Sequence, residues 1–261
     1  SPKLLIKASS VWTATGQSLA RASVVVEAGK IAAILSEEQS ERLLESQDQT
    51  LSAFEVLDLA NCVITPGLIN LHTHLDYSQA PAIPENSSLF TWMAQLVAST
   101  RPWSPEDFAR SALAGARSAA LAGTTYLVDS SYTGQAAEAM AKVGQKGLVG
   151  LELFGLDETL AERIFAIWLK RYQSLISTAS GALQEAISSG QIAITVAPHA
   201  PYTVAPALWA KAKDWAASHS LMLTAHLAES QEEADWISSD CSLIDQYLAK
   251  VMPPNPNKPF T

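Results

Sequence analysis

Residues 66–74 read PGLINLHTH and mark the point at which the hydrophobic pattern of the chain changes. The apolar run that begins at Leu68 predicts a short strand ending at His74. Downstream, strand-like apolar runs alternate with helix-like patterns, and this alternation is typical of a parallel α/β sheet. The pattern predicts five strand–helix units, with strands over 68–74, 124–129, 147–154, 192–198 and 221–226.

Helical patterns fill the connections between these strands. The clearest helix start is Ser104-Pro105, which offers Ser as N-cap and Pro in the first turn, followed by two acidic residues. Predicted helices cover residues 89–99, 105–122, 136–143, 159–188 and 206–218, and a last one begins near 231.

Upstream of Pro66 the apolar residues form short β-branched runs instead of alternating strand and helix patterns. Ala28-Gly29-Lys30 is a hairpin signal between two β-branched runs. We therefore expect a small β-sandwich segment over 1–65 and an α/β domain over 66–261, with upstream strands over 4–7, 23–27, 31–35, 54–59 and 62–65 and a loop or short helix over 36–52.

The α/β domain can close as an open sheet or as a barrel. No GxGxxG or Walker loop follows any predicted strand, which weakens the nucleotide-binding open sheet. Polar residues stand at the carboxyl ends of the strands, and in a barrel all these ends meet at one mouth. We therefore expect a (β/α)8 TIM barrel with its first five units present. Because such a barrel needs eight units, the chain is expected to be the N-terminal part of a longer protein.

Composition limits the kinds of partner. A net charge of −9 argues against a nucleic-acid groove or an anionic membrane surface, and no apolar run reaches membrane-spanning length. Charged residues make up 16% of the chain, against roughly 25% in an average globular protein. This low share favours a buried interface, as in a homo-oligomer. Cys62 and Cys241 stand alone, as buried thiols in a reducing compartment would, so the cytoplasm is the expected location.

Three histidines at strand ends predict a metal centre. His72 and His74 are two residues apart on one strand, so both imidazoles point to the same face; the alternative is a structural or surface pair. His226 ends the apolar run 221–225 at the same face. Three protein ligands and a water are the pattern of a catalytic zinc site, although imidazole also suits iron. No lysine lies on the predicted strands from Thr124 onward, which favours one metal over a lysine-bridged pair.

Two further residues are predicted to be catalytic. Glu229 lies just before the helix start at Ser230, where it can take a proton from water and pass it to a leaving group; the alternative is an acid favoured only by the helix dipole. His199 stands between Pro198 and Ala200-Pro201 in a stiff loop, and is predicted to orient the substrate rather than to act as a fourth ligand. The alternative is a loop histidine bonded to backbone. His219 is excluded, because it lies at the opposite ends of the strands.

Three motifs together resemble the amidohydrolase superfamily. The stretch PGLINLHTH resembles its first-strand motif, while APHAPYT (197–203) and HLAES (226–230) resemble its aminohydrolase/chlorohydrolase branch, which includes nucleoside and nucleobase deaminases. The stretches HLDYS (74–78), FTW (90–92) and ELFGLD (152–157) look most like the aminodeoxyfutalosine deaminase group. That group usually has Glu where this chain has Asp76.

The resemblance implies a hydrolytic deaminase. His72, His74 and His226 would bind one divalent metal, usually zinc, Glu229 would shuttle the proton, and His199 would contact the substrate. The substrate would be an adenine-type nucleoside or a related nucleobase, with water attack on a ring carbon and ammonia release. A hydrolase of another ring C–N or C–Cl bond, or an inactive metal-binding or assembly protein, is the alternative.

The resemblance also implies strands and site residues that lie further along the chain of a full-length family member. The family builds its small sandwich from both chain ends, and has another histidine after the sixth strand and a metal-binding aspartate after the eighth. This sequence has no counterpart of these residues before Thr261. The C-terminal remainder of the barrel is therefore expected to be needed for activity.

Overall fold

The computed structural model of the chain describes residues 3–45, 54–84, 88–238, 244 and 247–248. The chain divides in sequence between Gly67 and Leu68 into two units. Among the described residues, no helix combines the length and the apolar character needed to cross a membrane.

The first unit is a four-stranded mixed sheet. Its central strand β1 pairs antiparallel with β2 and parallel with β4, while β3 pairs with β2 at the far edge. Ala28 and Gly29 connect β2 to β3 with φ of 49° and 75°, which confirms the predicted hairpin. The elements are β1 (Leu4–Trp12), β2 (Ser18–Glu27), β3 (Lys30–Ser36), α1 (Glu37–Glu45) and β4 (Glu55–Ile64).

One expectation for this unit differs from the structure. A single strand, β4, replaces the strands predicted over 54–59 and 62–65, because its pairing with β1 continues across a register shift between Ala8 and Ser10. The described strands of the unit form one sheet, and the sandwich stays a prediction, since the resemblance implies that its other strands come from the far end of a longer chain. The helix predicted as an option within 36–52 is α1, and residues 46–53 lie outside the described ranges.

The second unit is built on a parallel sheet, as predicted. Its strands follow the order β5-β6-β7-β8, and each neighbouring pair is parallel. The strands are β5 (Leu68–Thr73), β6 (Thr124–Ser131), β7 (Lys146–Leu153) and β8 (Ile192–Pro198). The helices are α2 (Leu89–Thr100), α3 (Pro105–Leu121), α4 (Gln135–Val143), α5 (Ala161–Ser177), α6 (Gly181–Ser188), α7 (Pro206–Ser218) and α8 (Gln231–Ser238).

Capping residues explain where several helices begin. Ser104 accepts a hydrogen bond from Asp107 N, and the Asp107 side chain accepts one from Ser104 N, which confirms the predicted start of α3. The single helix predicted over 159–188 is wrong, since α5 and α6 are separate. Ser180 caps α6, and the Glu138 carboxylate accepts bonds from both Ser180 N and Ser180 Oγ, at 2.8 and 2.7 Å.

No strand is assigned over 221–226, where a fifth was predicted. The segment is held near β8 by other bonds. Thr195 Oγ1 donates to Met222 O at 2.7 Å, and His226 N donates to His199 O at 2.8 Å, one residue beyond the end of β8. No strand of the described residues lies on the other side of this segment, and it is held at the edge of the sheet by these two bonds without a regular ladder.

The close approach of β6 and β7 gives a stability prediction. A Cβ on Gly147 would lie 2.0 Å from Leu127 O and 2.6 Å from the Met140 methyl carbon. We expect Gly147→Ala to lower the free energy of unfolding by about 1–3 kcal/mol, because the backbone must move to accept the methyl group. Gly181→Ala is the control, since a Cβ there meets no atom within 4 Å, and it should be neutral or mildly stabilising. Urea unfolding of both variants measures this; equal effects would contradict the strand register.

Candidate active site

Three predicted ligands meet where the carboxyl ends of the strands converge. His72 lies at the end of β5 and His74 just after it, while His226 belongs to the segment beside β8. Each of the three rings offers one nitrogen, and these nitrogens all lie within 4.8 Å of one another. The ring centroids are 5.0 Å apart for His72 and His74, 4.9 Å for His72 and His226, and 5.1 Å for His74 and His226.

Backbone carbonyls fix the tautomers of two of these rings. His74 Nδ1 lies 2.9 Å from Ser130 O, and His226 Nδ1 lies 2.8 Å from His199 O. Because a carbonyl oxygen only accepts, each Nδ1 carries the hydrogen and each Nε2 presents a lone pair. Such second contacts are the usual way in which a protein orients imidazole ligands.

The two free nitrogens then face each other. His74 Nε2 lies 3.1 Å from His226 Nε2, and in the neutral rings neither atom has a hydrogen to share. Two lone pairs at this distance repel unless a positive charge lies between them. Two imidazole nitrogens on a tetrahedral zinc ion would be about 3.3 Å apart. The donor set and its spacing therefore fit a divalent metal.

Burial keeps the His72 and His74 rings neutral, which is the form that binds metals. It lowers the pKa of His74 to about 4, with the neighbouring His226 and His72 adding to the effect. Burial also lowers the pKa of His72, with His226 adding and Glu229 opposing. The two imidazoles are therefore neutral at neutral pH, so a metal would not have to displace protons from them.

A second group of possible ligands shares one residue with the first. Glu152, His199 and His226 also offer atoms within 4.8 Å of one another. His226 has only one free nitrogen, however, since its Nδ1 is bonded to His199 O. That free nitrogen faces His74, which assigns it to the three-histidine group. Glu152 and His199 are left beside this group as polar side chains directed at the same space.

His199 is held in place from both sides of its loop. Its backbone N donates to Leu153 O at 3.1 Å, and its Nδ1 lies 2.8 Å from Thr203 Oγ1. The Phe154 ring lies 4.7 Å away, centroid to centroid. Burial lowers the pKa of His199 to about 3, with His226 and His74 adding, so the ring is neutral. The ring is thus oriented for hydrogen bonding.

Glu229 lies in the turn before α8, as predicted. The turn is anchored by a bond from Glu229 N to Glu233 Oε2 at 2.8 Å, and Ala228 before it has a φ of 55°. Its exposed carboxylate accepts a long 3.5 Å bond from Tyr202 O–H, and its charge acts on His72. The predicted cap of α8 forms in part, since Ser230 Oγ accepts from Glu233 N at 3.2 Å.

Glu152 is a further buried carboxyl group beside the three histidines. It lies near the end of β7, with 4% of its side chain exposed, and its Oε1 is 4.0 Å from His74 Nδ1. Burial raises the pKa of Glu152 to about 8, with Asp76 and Asp129 adding and Arg171 opposing.

Sequence reasoning missed two aspartates that hold His74 in place. Asp129, near the end of β6, accepts a bond from Leu75 N at 2.7 Å. Asp76 Oδ2 accepts bonds from Ser131 Oγ, Thr133 N and Thr133 Oγ1, at 2.9, 2.7 and 3.0 Å. Together they tie the 3-10 turn after His74 to the end of β6. The signal available was the polar Asp129-Ser130-Ser131 at the end of an apolar strand.

Several proteins of known name are similar to the chain in sequence. A 5'-deoxyadenosine deaminase from Methanosphaera stadtmanae is 27% identical over 215 residues, which are 79% of this chain and 47% of that protein. A 5-methylthioadenosine/S-adenosylhomocysteine deaminase from Thermococcus sibiricus is 27% identical over 241 residues, 90% of this chain and 51% of that protein. The chain therefore spans about half the length of these relatives.

Solved structures share the fold at lower identity. Helicobacter pylori aminofutalosine deaminase in complex with methylthio-coformycin superimposes with a TM-score of 0.77 at 20% identity, over 97% of this chain and 58% of that one. Atrazine chlorohydrolase from Arthrobacter aurescens complexed with zinc has a TM-score of 0.69 at 19% identity, over 94% of this chain and 58% of that one. These likenesses show an α/β fold of the TIM-barrel type. The family model described as the amidohydrolase family matches residues 63–249, which are most of this chain. The chain therefore belongs to the amidohydrolase family.

Proposed function

We propose that the protein is a metal-dependent hydrolase that deaminates adenine-type nucleosides, replacing the ring amino group with oxygen and releasing ammonia. The observation that carries the proposal is the pair of Nε2 atoms of His74 and His226, which lie 3.1 Å apart while each Nδ1 is bonded to a backbone carbonyl. The two relatives described above support the reaction class, since both are named as deaminases of adenine nucleosides.

We further propose that one zinc ion is held by His72, His74 and His226. Zinc is supported by their nitrogen donors and by the zinc complex of the atrazine chlorohydrolase of similar fold. When bound, such a metal makes water a nucleophile at neutral pH and stabilises the negative charge that develops as water attacks.

The protein side chains handle the proton and the substrate. Glu229, in the turn before α8, takes the two protons of the attacking water one after the other, and gives one to the ring nitrogen and one to the amino group, which leaves as ammonia. His199, neutral and held by Thr203, contacts the substrate by a hydrogen bond. His199 follows β8 and Glu229 follows the segment over 221–226, so substrate would lie over the carboxyl ends of these two stretches.

At the level of the fold, we propose that the full-length protein closes as a (β/α)8 barrel in which this chain supplies the first five strand–helix units. The segment over 221–226 would then be the fifth strand, paired once a further neighbour is present. The proposal is supported by the two bonds that already hold this segment near β8.

A product assay tests the proposed reaction. We expect the full-length, zinc-loaded protein to release ammonia from at least one adenine nucleoside in a panel of adenosine, 5'-deoxyadenosine, methylthioadenosine and aminodeoxyfutalosine. Conversion of the adenine base to hypoxanthine gives an independent absorbance signal. The same preparation treated with a chelator is the control. Chloride release from a chlorotriazine, with no ammonia from any nucleoside, would contradict the proposed deaminase activity and would indicate a chlorohydrolase instead.

A further inference from the structure

The buried Glu152 side chain lies beside the histidines without a hydrogen-bond partner among the described residues. Its side chain is 4% exposed, and no hydrogen bond to its carboxyl group forms within the described residues. The nearest imidazole nitrogen, His74 Nδ1, is 4.0 Å away, which is too far for a hydrogen bond. Burying a carboxyl group without a partner is costly, so a ligand that supplies one would offset this cost.

The carboxyl group is also not needed to orient the histidines. His74 Nδ1 is bonded to Ser130 O, His226 Nδ1 to His199 O, and His199 Nδ1 to Thr203 Oγ1. Each ring therefore already has its orienting partner. The free nitrogen of His226 faces His74, which leaves no complete ligand set around Glu152.

The position of Glu152 points to the leaving group of the reaction. A carboxyl oxygen of Glu152 lies within 4.8 Å of nitrogens of His199 and His226, so a substrate group that reaches these two histidines also comes close to Glu152. The substituent on the reacting carbon is an amino group, which has hydrogens to donate. A carboxyl group accepts such a bond whether or not it is ionised.

We infer that Glu152 accepts a hydrogen bond from the amino group on the reacting carbon, and so makes the site selective for rings that carry an amino leaving group. This inference rests on the proposed function. Chloride in the same position has no hydrogen to donate and would leave Glu152 unpaired. A site built around a substrate N–H rejects analogues that lack it, because its buried acceptor is then unsatisfied.

Two substrates that give the same product test the proposed hydrogen bond between the amino group and Glu152. Adenosine plus water gives inosine and ammonia, and 6-chloropurine riboside plus water gives inosine and hydrochloric acid. The nucleoside found to be deaminated would be paired with its 6-chloro counterpart, and kcat/KM would be measured for both with the full-length protein. The quantity of interest is the ratio of amino to chloro kcat/KM in each variant, which cancels the different intrinsic reactivities of the two leaving groups.

We expect Glu152→Ala to shift this ratio toward chloride by about 10–100-fold, the effect of one buried hydrogen bond. Glu152→Gln should shift it less than about 10-fold, because its amide oxygen still accepts. Glu158→Ala, at an exposed glutamate in the turn after β7, should leave the ratio unchanged. All variants should keep the metal content of the wild type, measured by elemental analysis.

Three results would overturn the inference. An unchanged ratio in Glu152→Ala would show that the amino group is not contacted, and loss of metal in both Glu152 variants would make Glu152 a ligand. If Glu152→Ala does not fold, a shift in Glu152→Gln beyond 100-fold would show that an amide cannot substitute and that the role is not hydrogen bonding. Ammonia release from no purine nucleoside by the wild type would instead overturn the proposed function, and this inference with it.

Discussion

Glu229→Gln in the full-length protein is expected to lower kcat for ammonia release by about 10²–10⁴-fold, the usual contribution of a general acid–base group. Gln keeps the size of the side chain but can no longer accept and return a proton. The turn itself should persist, because its anchor is the bond from the backbone N of residue 229 to Glu233. Steady-state kinetics under saturating substrate measure the loss.

The matched control for this variant is Glu232→Gln, the same chemical change three residues along the chain. Glu232 lies in the first turn of α8, without a described contact to the histidines. We expect near-normal turnover in this variant, and unchanged metal content in both. Turnover in Glu229→Gln close to that of the wild type would remove Glu229 from the mechanism.

His74→Ala should abolish activity by releasing the metal. The substitution removes one of the two nitrogens that face each other at 3.1 Å, and leaves only His72 and His226 as imidazole ligands from this chain. Loss of an outer-shell partner already weakens metal binding by about 10–100-fold, and loss of a direct ligand should weaken it more. Elemental analysis after dialysis, with ammonia release on the same sample, measures both effects.

His219→Ala is the matched control for the histidine substitution. His219 caps the end of α7 and stacks on Trp215, with ring centroids 4.3 Å apart, so it takes no part in the histidine group. We expect full metal content and activity in this variant. Full metal content in His74→Ala would show that the metal is held elsewhere.

Much of the site could be predicted because it follows from strand geometry. Residues two apart on a strand share a face, which pairs His72 with His74, and the carboxyl ends of parallel strands meet at one edge. The local signal at Ser230 likewise placed Glu229 in the turn before α8. These inferences need only periodicity and capping rules, which operate within a few residues.

The rest depends on contacts between residues distant in sequence. Asp129 gains its role from the backbone of Leu75, 54 residues away. The break between α5 and α6 depends on Glu138, which lies on another helix and binds Ser180. Similarly, the segment over 221–226 is held near β8 by a bond from the Thr195 side chain to Met222 O, 27 residues away, rather than by a regular ladder. No local pattern encodes these partners.

The most direct test of the account is an anomalous difference map at the metal absorption edge, from crystals of the zinc-loaded full-length protein. The account predicts one peak about 2.0–2.1 Å from a ring nitrogen of each of His72, His74 and His226, with Glu152 beyond bonding distance. A peak bonded by Glu152 and His199, with His72 and His74 free, would contradict it.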